Sequence, residues 1–215
     1  MPTSPLNLPS FNPTPKVIGC SGSPRKNGNS DILLEHILTG VQQRNIPAEH
    51  YNLTKLNIQG CVGCEACRKT GICTRLTDDM SPLYPRITAA QGLVLVCPSH
   101  NYNVTSWMKA FIDRLYCFYR FENDRPRSWS SQLAGQNRKA VIAAVCEQEH
   151  VDDMGFTIEA MKKPLEALGY EIMGELPVFG LFDKGKVKHK PQILEEATRL
   201  GTTLAESIKQ PKTNA

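Results

Sequence analysis

The sequence predicts an α/β fold, a five-stranded parallel sheet wound doubly with helices on both faces. Three observations carry this. Apolar runs at 16–20 (KVIGC), 92–97 (GLVLVC) and 139–145 (KAVIAAV) are short and continuous, as strands buried on both faces are. Stretches with helical spacing fall between the strands, which implies βαβ units. The loops after the first and central runs gather Gly, Ser, Asn and charged residues, where a parallel sheet places its ligands.

Taken in order, the strand over 16–20 leads into the loop 21–29 (SGSPRKNGN). A helix follows, with Asn29 or Ser30 as its N-cap. Its apolar residues Leu34, Ile37, Leu38 and Val41 fall on one face. A weaker strand is expected over 48–53, then a cysteine-rich insertion over 61–73. A helix over 79–90 has an uncertain start because of Pro82 and Pro85. The central strand 92–97 gives way to the loop 98–104. The next helix carries Met108, Ile112 and Leu115 on one face, with Trp107 and Phe111 beside them. Residues 120–138 show no period, so they are either a functional lid or a missed short element. The strand 139–145, a helix over 156–168, a strand over 170–176 and a helix over 191–208 complete the pattern. Five such strands suit the flavodoxin-type order.

The 215 residues suit one domain, and 40% hydrophobic content suits a globular one. The expected domain spans 16–210, preceded by a disordered tail over 1–15 rich in proline. The net charge of +4 is spread without a basic block, so no nucleic-acid partner is expected, although anionic cofactors would be favoured. No apolar run reaches the roughly 18 residues of a membrane span, and residues 1–15 lack a signal-peptide pattern. Eight cysteines without such a signal point to a reducing compartment, the cytoplasm.

Three segments carry candidate chemistry. In the first loop, Ser21, Ser23 and Ser30 offer hydroxyls, Arg25 and Lys26 offer charge, and Gly22 and Gly28 allow a tight turn at a helix N-terminus. These features suit a phosphate, although an ordinary polar turn has the same composition. The dinucleotide fingerprint and the Walker pattern are both missing. The second segment is the loop Pro98, Ser99, His100, Asn101, Tyr102 and Asn103. Tyr102 and His100 could stack on a flat ring and Asn103 could hydrogen-bond its edge; the bland reading is a polar loop. The third segment, Cys61, Cys64, Cys67 and Cys73, has the spacing C-x2-C-x2-C-x5-C. Four soft thiolates this close can wrap a cuboidal iron–sulfur cluster, one per iron. A structural zinc site and free thiols remain open, though zinc sites usually pair two knuckles across a longer gap. Cys20, Cys97, Cys117 and Cys146 read as buried thiols. Cys20, Cys97 and Cys146 end strands and so could approach a cofactor edge.

With these residues in view, the chain resembles the iron–sulfur flavoprotein branch of the NADPH-dependent FMN reductase superfamily over about residues 16–208. The resemblance rests on GSPRKNGNS (22–30), the cysteine motif followed by Asp78, Asp79 and Met80, and Pro98 followed by Lys109, Ala110, Phe111, Ile112, Asp113 and Arg114. It implies FMN, with its phosphate on Ser23, Arg25, Asn27, Asn29 and Ser30 and its ring against the loop 98–103. Relatives often carry an aromatic and small residues after the proline; this chain has Ser99, His100, Asn101 and Tyr102. The resemblance further implies a [4Fe-4S] cluster on the four cysteines and homodimers or homotetramers. The expected activity is electron relay between cluster and FMN, with NAD(P)H or ferredoxin as possible donor. Two alternatives stand: an NAD(P)H-dependent FMN or quinone reductase without a cluster, and a pure electron carrier. His100 is the one candidate acid or base.

Overall fold

The computed structural model describes residues 13–209. Strand β1 (Thr14–Ser21) leads into helix α1 (Asn29–Gln42) and then β2 (Ala48–Asn52). The cysteine segment follows, before α2 (Leu83–Ala89), β3 (Ala90–Pro98) and α3 (Ser106–Arg114). A two-stranded antiparallel ribbon, β4 (Tyr119–Phe121) with β5 (Trp129–Ser131), comes next. The chain then runs through β6 (Arg138–Val145), α4 (Thr157–Leu168), β7 (Tyr170–Val178) and α5 (Pro191–Lys209).

The main sheet is parallel throughout, in the order β2-β1-β3-β6-β7. This is the flavodoxin-type order, whose switch point lies between β1 and β3. Strand alternation builds two cores. Ile18, Cys20, Leu93, Leu95, Ile142 and Ala144 face α2, α3 and α4. Val17, Val94, Val96, Val141 and Ala143 face α1 and α5. α1 and α5 cross so closely that a Cβ on Gly201 would lie 1.8 Å from the Ile37 carbonyl oxygen, and one on Gly40 would lie 2.0 Å from that of Thr198.

The expected fold class stands, with differences at several element ends. β1 starts at Thr14, within the stretch assigned to the tail; the rest of that expectation, residues 1–12, lies outside the described residues. The ladder to β3 is irregular between Thr14 and Val17, where Pro15 has no N–H to donate. α2 begins four residues later than expected, which leaves Pro85 in its first turn, where a missing N–H costs nothing. The aperiodic stretch 120–138 resolves as a missed short element, the β4–β5 ribbon. Its three-residue strands are too short to show alternation.

Buried Arg138 is a second feature hidden from the sequence. Its guanidinium donates to the carbonyls of Ile87 (2.9 Å), Ala90 (2.6 Å) and Thr88 (2.5 Å), closing the C-terminal end of α2. A cation there meets the negative end of the helix dipole. No helix among the described residues is long and apolar enough to cross a membrane.

Candidate functional site

Two pockets carry the chemistry. The first lies beyond the carboxyl ends of β1, β3 and β6. Ser23, Pro24, Arg25, Asn29 and Ser30 line it from the first loop, and Pro98, Ser99 and His100 from the loop after β3. Val145, Glu147, Leu181 and Phe182 close it. The N-cap of α1 is Gly28, which offers no side-chain cap, so the first-turn N–H groups keep their capacity to bind an anion. A Cβ on Gly28 would lie 2.7 Å from the Arg25 carbonyl oxygen, so the loop can turn this tightly only with glycine there.

Asp31 holds that loop from the inside. Buried in the first turn of α1, it accepts hydrogen bonds from Ser21 Oγ (2.6 Å), the Asn27 N–H (2.9 Å) and Asn52 Nδ2 (3.3 Å). Asn27 therefore spends its backbone on the loop, and it is not among the pocket-lining residues. Asn29 ties the loop to the opposite wall, donating to the Asp183 carbonyl (3.0 Å) and accepting the Val187 N–H (3.1 Å). Arg25 donates to the Phe182 carbonyl (2.6 Å), with its guanidinium 4.4 Å from the centre of the Phe182 ring.

The loop after β3 is a tight turn. His100 and Asn103 exchange backbone hydrogen bonds (2.8 and 3.1 Å), and Asn101 and Tyr102 both have positive φ. That pairing is a type I′ geometry. Ser99 and His100 reach the pocket; Asn101, Tyr102 and Asn103 do not line it. Asn103 Oδ1 accepts the Val104 N–H (2.8 Å), and the Tyr102 carbonyl accepts the Phe156 N–H (2.8 Å). Tyr102 is 57% exposed. Tyr102 and Asn103, expected to stack on and hydrogen-bond a flat ring, thus sit on the turn beside this pocket and outside its lining.

The second pocket is lined by Cys61, Cys64, Cys67 and Cys73 together, with Arg75, Asp113, Arg114, Tyr116 and Cys117. Positive φ at Gly63, Glu65 and Gly71 lets the short segment wrap around the space. Cys61 and Cys64 are exposed, while Cys67 and Cys73 are partly covered. Burial first, then the neighbouring groups of Cys73, Cys61 and Cys64, push the Cys67 thiol up. Among the described residues no three His, Cys, Asp or Glu side chains converge as one bound ion requires. A cuboidal cluster instead spreads its ligands over separate iron corners, and a cavity ringed by four soft thiols suits that donor set.

A buried ion pair fixes the base of this segment. Arg114, the last residue of α3, meets Asp78 bidentately (2.6 and 3.1 Å), with both side chains almost fully buried. Asp78 also accepts the N–H of Gln59 (2.9 Å), and Arg114 donates to the Gln59 carbonyl (3.0 Å). Asp79 pairs with Asn57 in the same way (2.7 and 3.2 Å). The residues entering and leaving the cysteine segment are thus clamped together.

Sequence reasoning did not find Glu147, Leu181 and Phe182. They follow β6 and β7, and the carboxyl-end rule applied to every strand would have reached them. Cys117 was read as an ordinary buried thiol, yet it lines the cysteine pocket. Cys20, Cys97 and Cys146 are buried, and none lines the first pocket. Cys97 Sγ accepts the Thr105 N–H (3.3 Å), and burial pushes its thiol up to about 11.

The fold is that of a flavodoxin-like α/β protein with a pocket at its switch point. The family described as NADPH-dependent FMN reductase matches residues 15–150. The chain belongs to that family and is an FMN-dependent oxidoreductase. It is 29% identical to an iron-sulfur flavoprotein of Archaeoglobus fulgidus over 195 residues, covering 90% of this chain and 80% of that one. An iron-sulfur flavoprotein of Methanocaldococcus jannaschii is 27% identical over 199 residues, covering 90% and 97%. The resemblance to that branch is borne out. A solved flavone reductase superposes with a TM-score of 0.70 at 15% identity, covering 93% of this chain and 65% of that one, a likeness of fold.

Proposed function

We propose that this oxidoreductase is an iron–sulfur flavoprotein that passes electrons between FMN in the first pocket and a [4Fe-4S] cluster on Cys61, Cys64, Cys67 and Cys73. The observation that carries the reading is the pairing of two pockets of different donor chemistry on one domain. They share no lining residue. α3 runs from the loop of the first toward the second, nine residues or roughly 13 Å of helix. When bound, the two groups supply complementary redox chemistry, the flavin exchanging one or two electrons and the cluster one at a time.

In this reading Ser23, Arg25, Asn29 and Ser30 hold the FMN phosphate, and Asn27 shapes the loop through Asp31. Pro98, Ser99 and His100 face the ring, while Asn101, Tyr102 and Asn103 form the turn that presents them. His100 is the side chain able to exchange a proton beside the ring. NAD(P)H or reduced ferredoxin supplies electrons, the chain assembles as a homodimer or homotetramer, and the compartment is the reducing cytoplasm.

One observation favours the alternative, an NAD(P)H-dependent FMN or quinone reductase without a cluster: the four sulfurs do not converge, and two are open to solvent. Anaerobic purification with iron, sulfide and flavin assays separates the two. The proposal expects about four irons and four sulfides per chain beside FMN. Cys67→Ser should lose the iron and its paramagnetic signal on reduction and keep FMN, because a serine oxygen is a poor replacement for a soft thiolate. Wild-type protein with one zinc and no iron or sulfide would refute the relay.

A further inference from the structure

The loop between β7 and α5 carries a local charge that the even overall distribution hides. Lys184, Lys186, Lys188, His189 and Lys190 fall within seven residues, and all five are exposed. Several surface lysines elsewhere meet carboxylates, as Lys109 meets Asp113 (2.6 Å) and Lys162 meets Glu175 (2.8 Å), while Lys26, Lys55 and Lys69 stand singly without an ion-pair partner among the described residues. In this loop Lys186 reaches Asp183 (3.4 Å), whereas Lys184, Lys188 and Lys190 have no ion-pair partner among the described residues.

The strip is held at the pocket. Leu181 and Phe182, which begin the loop, form part of the pocket wall. Asn29 bonds both Asp183 and Val187, and the Val187 side chain is fully buried. Arg25 latches onto Phe182 across the opening. The loop after β6 has the opposite sign, with Glu147 in the pocket wall and Glu149, Asp152 and Asp153 beyond it. The opening is therefore electrostatically polarised, basic along one loop and acidic along the other.

The FMN phosphate is accounted for by the first loop, which leaves the lysine strip without a ligand. A nicotinamide dinucleotide must bring its ring to the flavin inside the pocket, and its phosphates then stay at the opening. The acidic loop repels them and the lysines attract them. We propose that residues 184–190 bind the phosphates of the nicotinamide donor. Lys184, Lys188 and Lys190 select the dinucleotide bearing a 2′-phosphate over the one without it. This inference rests on the first pocket being the flavin site of a nicotinamide-dependent reductase. Each exposed contact is weak and screened by salt, so the selection comes from the three charges together.

The test compares FMN-loaded wild type with the triple variant Lys184→Gln, Lys188→Gln and Lys190→Gln, measuring kcat/KM for NADPH and NADH. The ratio of NADPH to NADH should fall about tenfold in the variant, through the KM for NADPH. Added salt should erode the wild-type preference, and the variant should lose that salt dependence. The corresponding triple Lys→Arg variant, which keeps the charge, should retain the preference. If wild type uses both dinucleotides and the Gln variant keeps the ratio, this inference is overturned and the flavin reading stands. If FMN-loaded wild type oxidises neither, the nicotinamide reading falls and this inference falls with it.

Discussion

Asp78→Asn should destabilise the protein by about 3–5 kcal/mol at pH 7, the usual cost of stranding one partner of a buried ion pair. The side chains of Asp78 and Arg114 are 0% and 1% exposed, so water cannot replace what the substitution removes. The asparagine can still accept one backbone N–H, but its amide cannot answer both arms of the Arg114 guanidinium. Urea unfolding followed by circular dichroism measures the loss. With a slope of about 3 kcal/mol per molar, the midpoint should fall by at least about 1 M with the slope unchanged. The pH dependence gives a second reading. Burial alone would raise the Asp78 carboxyl, but the Arg114 guanidinium and the Gln59 and Met80 N–H groups outweigh it and hold it below its usual range. Its contribution is then present above the unfolded value of about 3.9 and is lost as pH falls through the lower folded value. The gap between wild type and variant should stay constant from pH 7 to about 5 and shrink below about 4. A loss under about 1 kcal/mol at pH 7, or a gap that does not shrink in acid, would refute the clamp.

Two further predictions follow from the geometry. Gly201→Val should lower stability by about 1–3 kcal/mol or more, read by thermal unfolding, because the new Cβ overlaps the Ile37 carbonyl and α1 must separate from α5. Arg25→Ala with Ser23→Ala should weaken FMN binding by about one to three orders of magnitude, since a charge-assisted and a hydroxyl contact are lost. Titration of the apo-protein by flavin fluorescence measures this, and an unchanged affinity would mean that the phosphate lies elsewhere.

The parts legible in the sequence were those where one signal dominates. KVIGC, GLVLVC and KAVIAAV were legible because short continuous apolar runs suit strands of a doubly covered sheet, and each extends at most two residues further in the structure at either end. The first loop and the four cysteines were legible because their chemistry is concentrated in sequence. The missed features depend on partners remote in the chain. Arg138 reads as one more surface cation until the end of α2 is placed against it, 50 residues away by its Thr88 contact. Cys117 joins the cysteine pocket only because α3 and the following turn pack beneath the segment. The place of Tyr102 was not legible because composition reports what a loop contains, while the positive φ values that shape its turn arise only in the folded chain.

α3 ties the loops of the two pockets together. Its N-cap, Thr105, accepts the Met108 N–H (3.3 Å) and donates to the Gly22 carbonyl in the first loop (2.8 Å). Its last residue, Arg114, grips both ends of the cysteine segment through Gln59 and Asp78. Between them Met108, Phe111 and Ile112 are buried in the core, so the helix cannot tilt without opening it. A short helix anchored this way at both ends behaves as a strut. Movement of the cysteine segment is resisted at the same element that holds the first loop. Loosening the Arg114 end should therefore disturb the cysteine pocket before the flavin pocket, because Thr105 and Gly22 keep their own bonds to the sheet: the Gly22 N–H to Val96 (2.9 Å) and the Thr105 N–H to Cys97 (3.3 Å). Hydrogen exchange on Asp78→Asn reads this directly. Amides within 59–79 should lose protection while those of 19–23 keep it, and equal loss in both would show that α3 is not the independent strut the contacts describe.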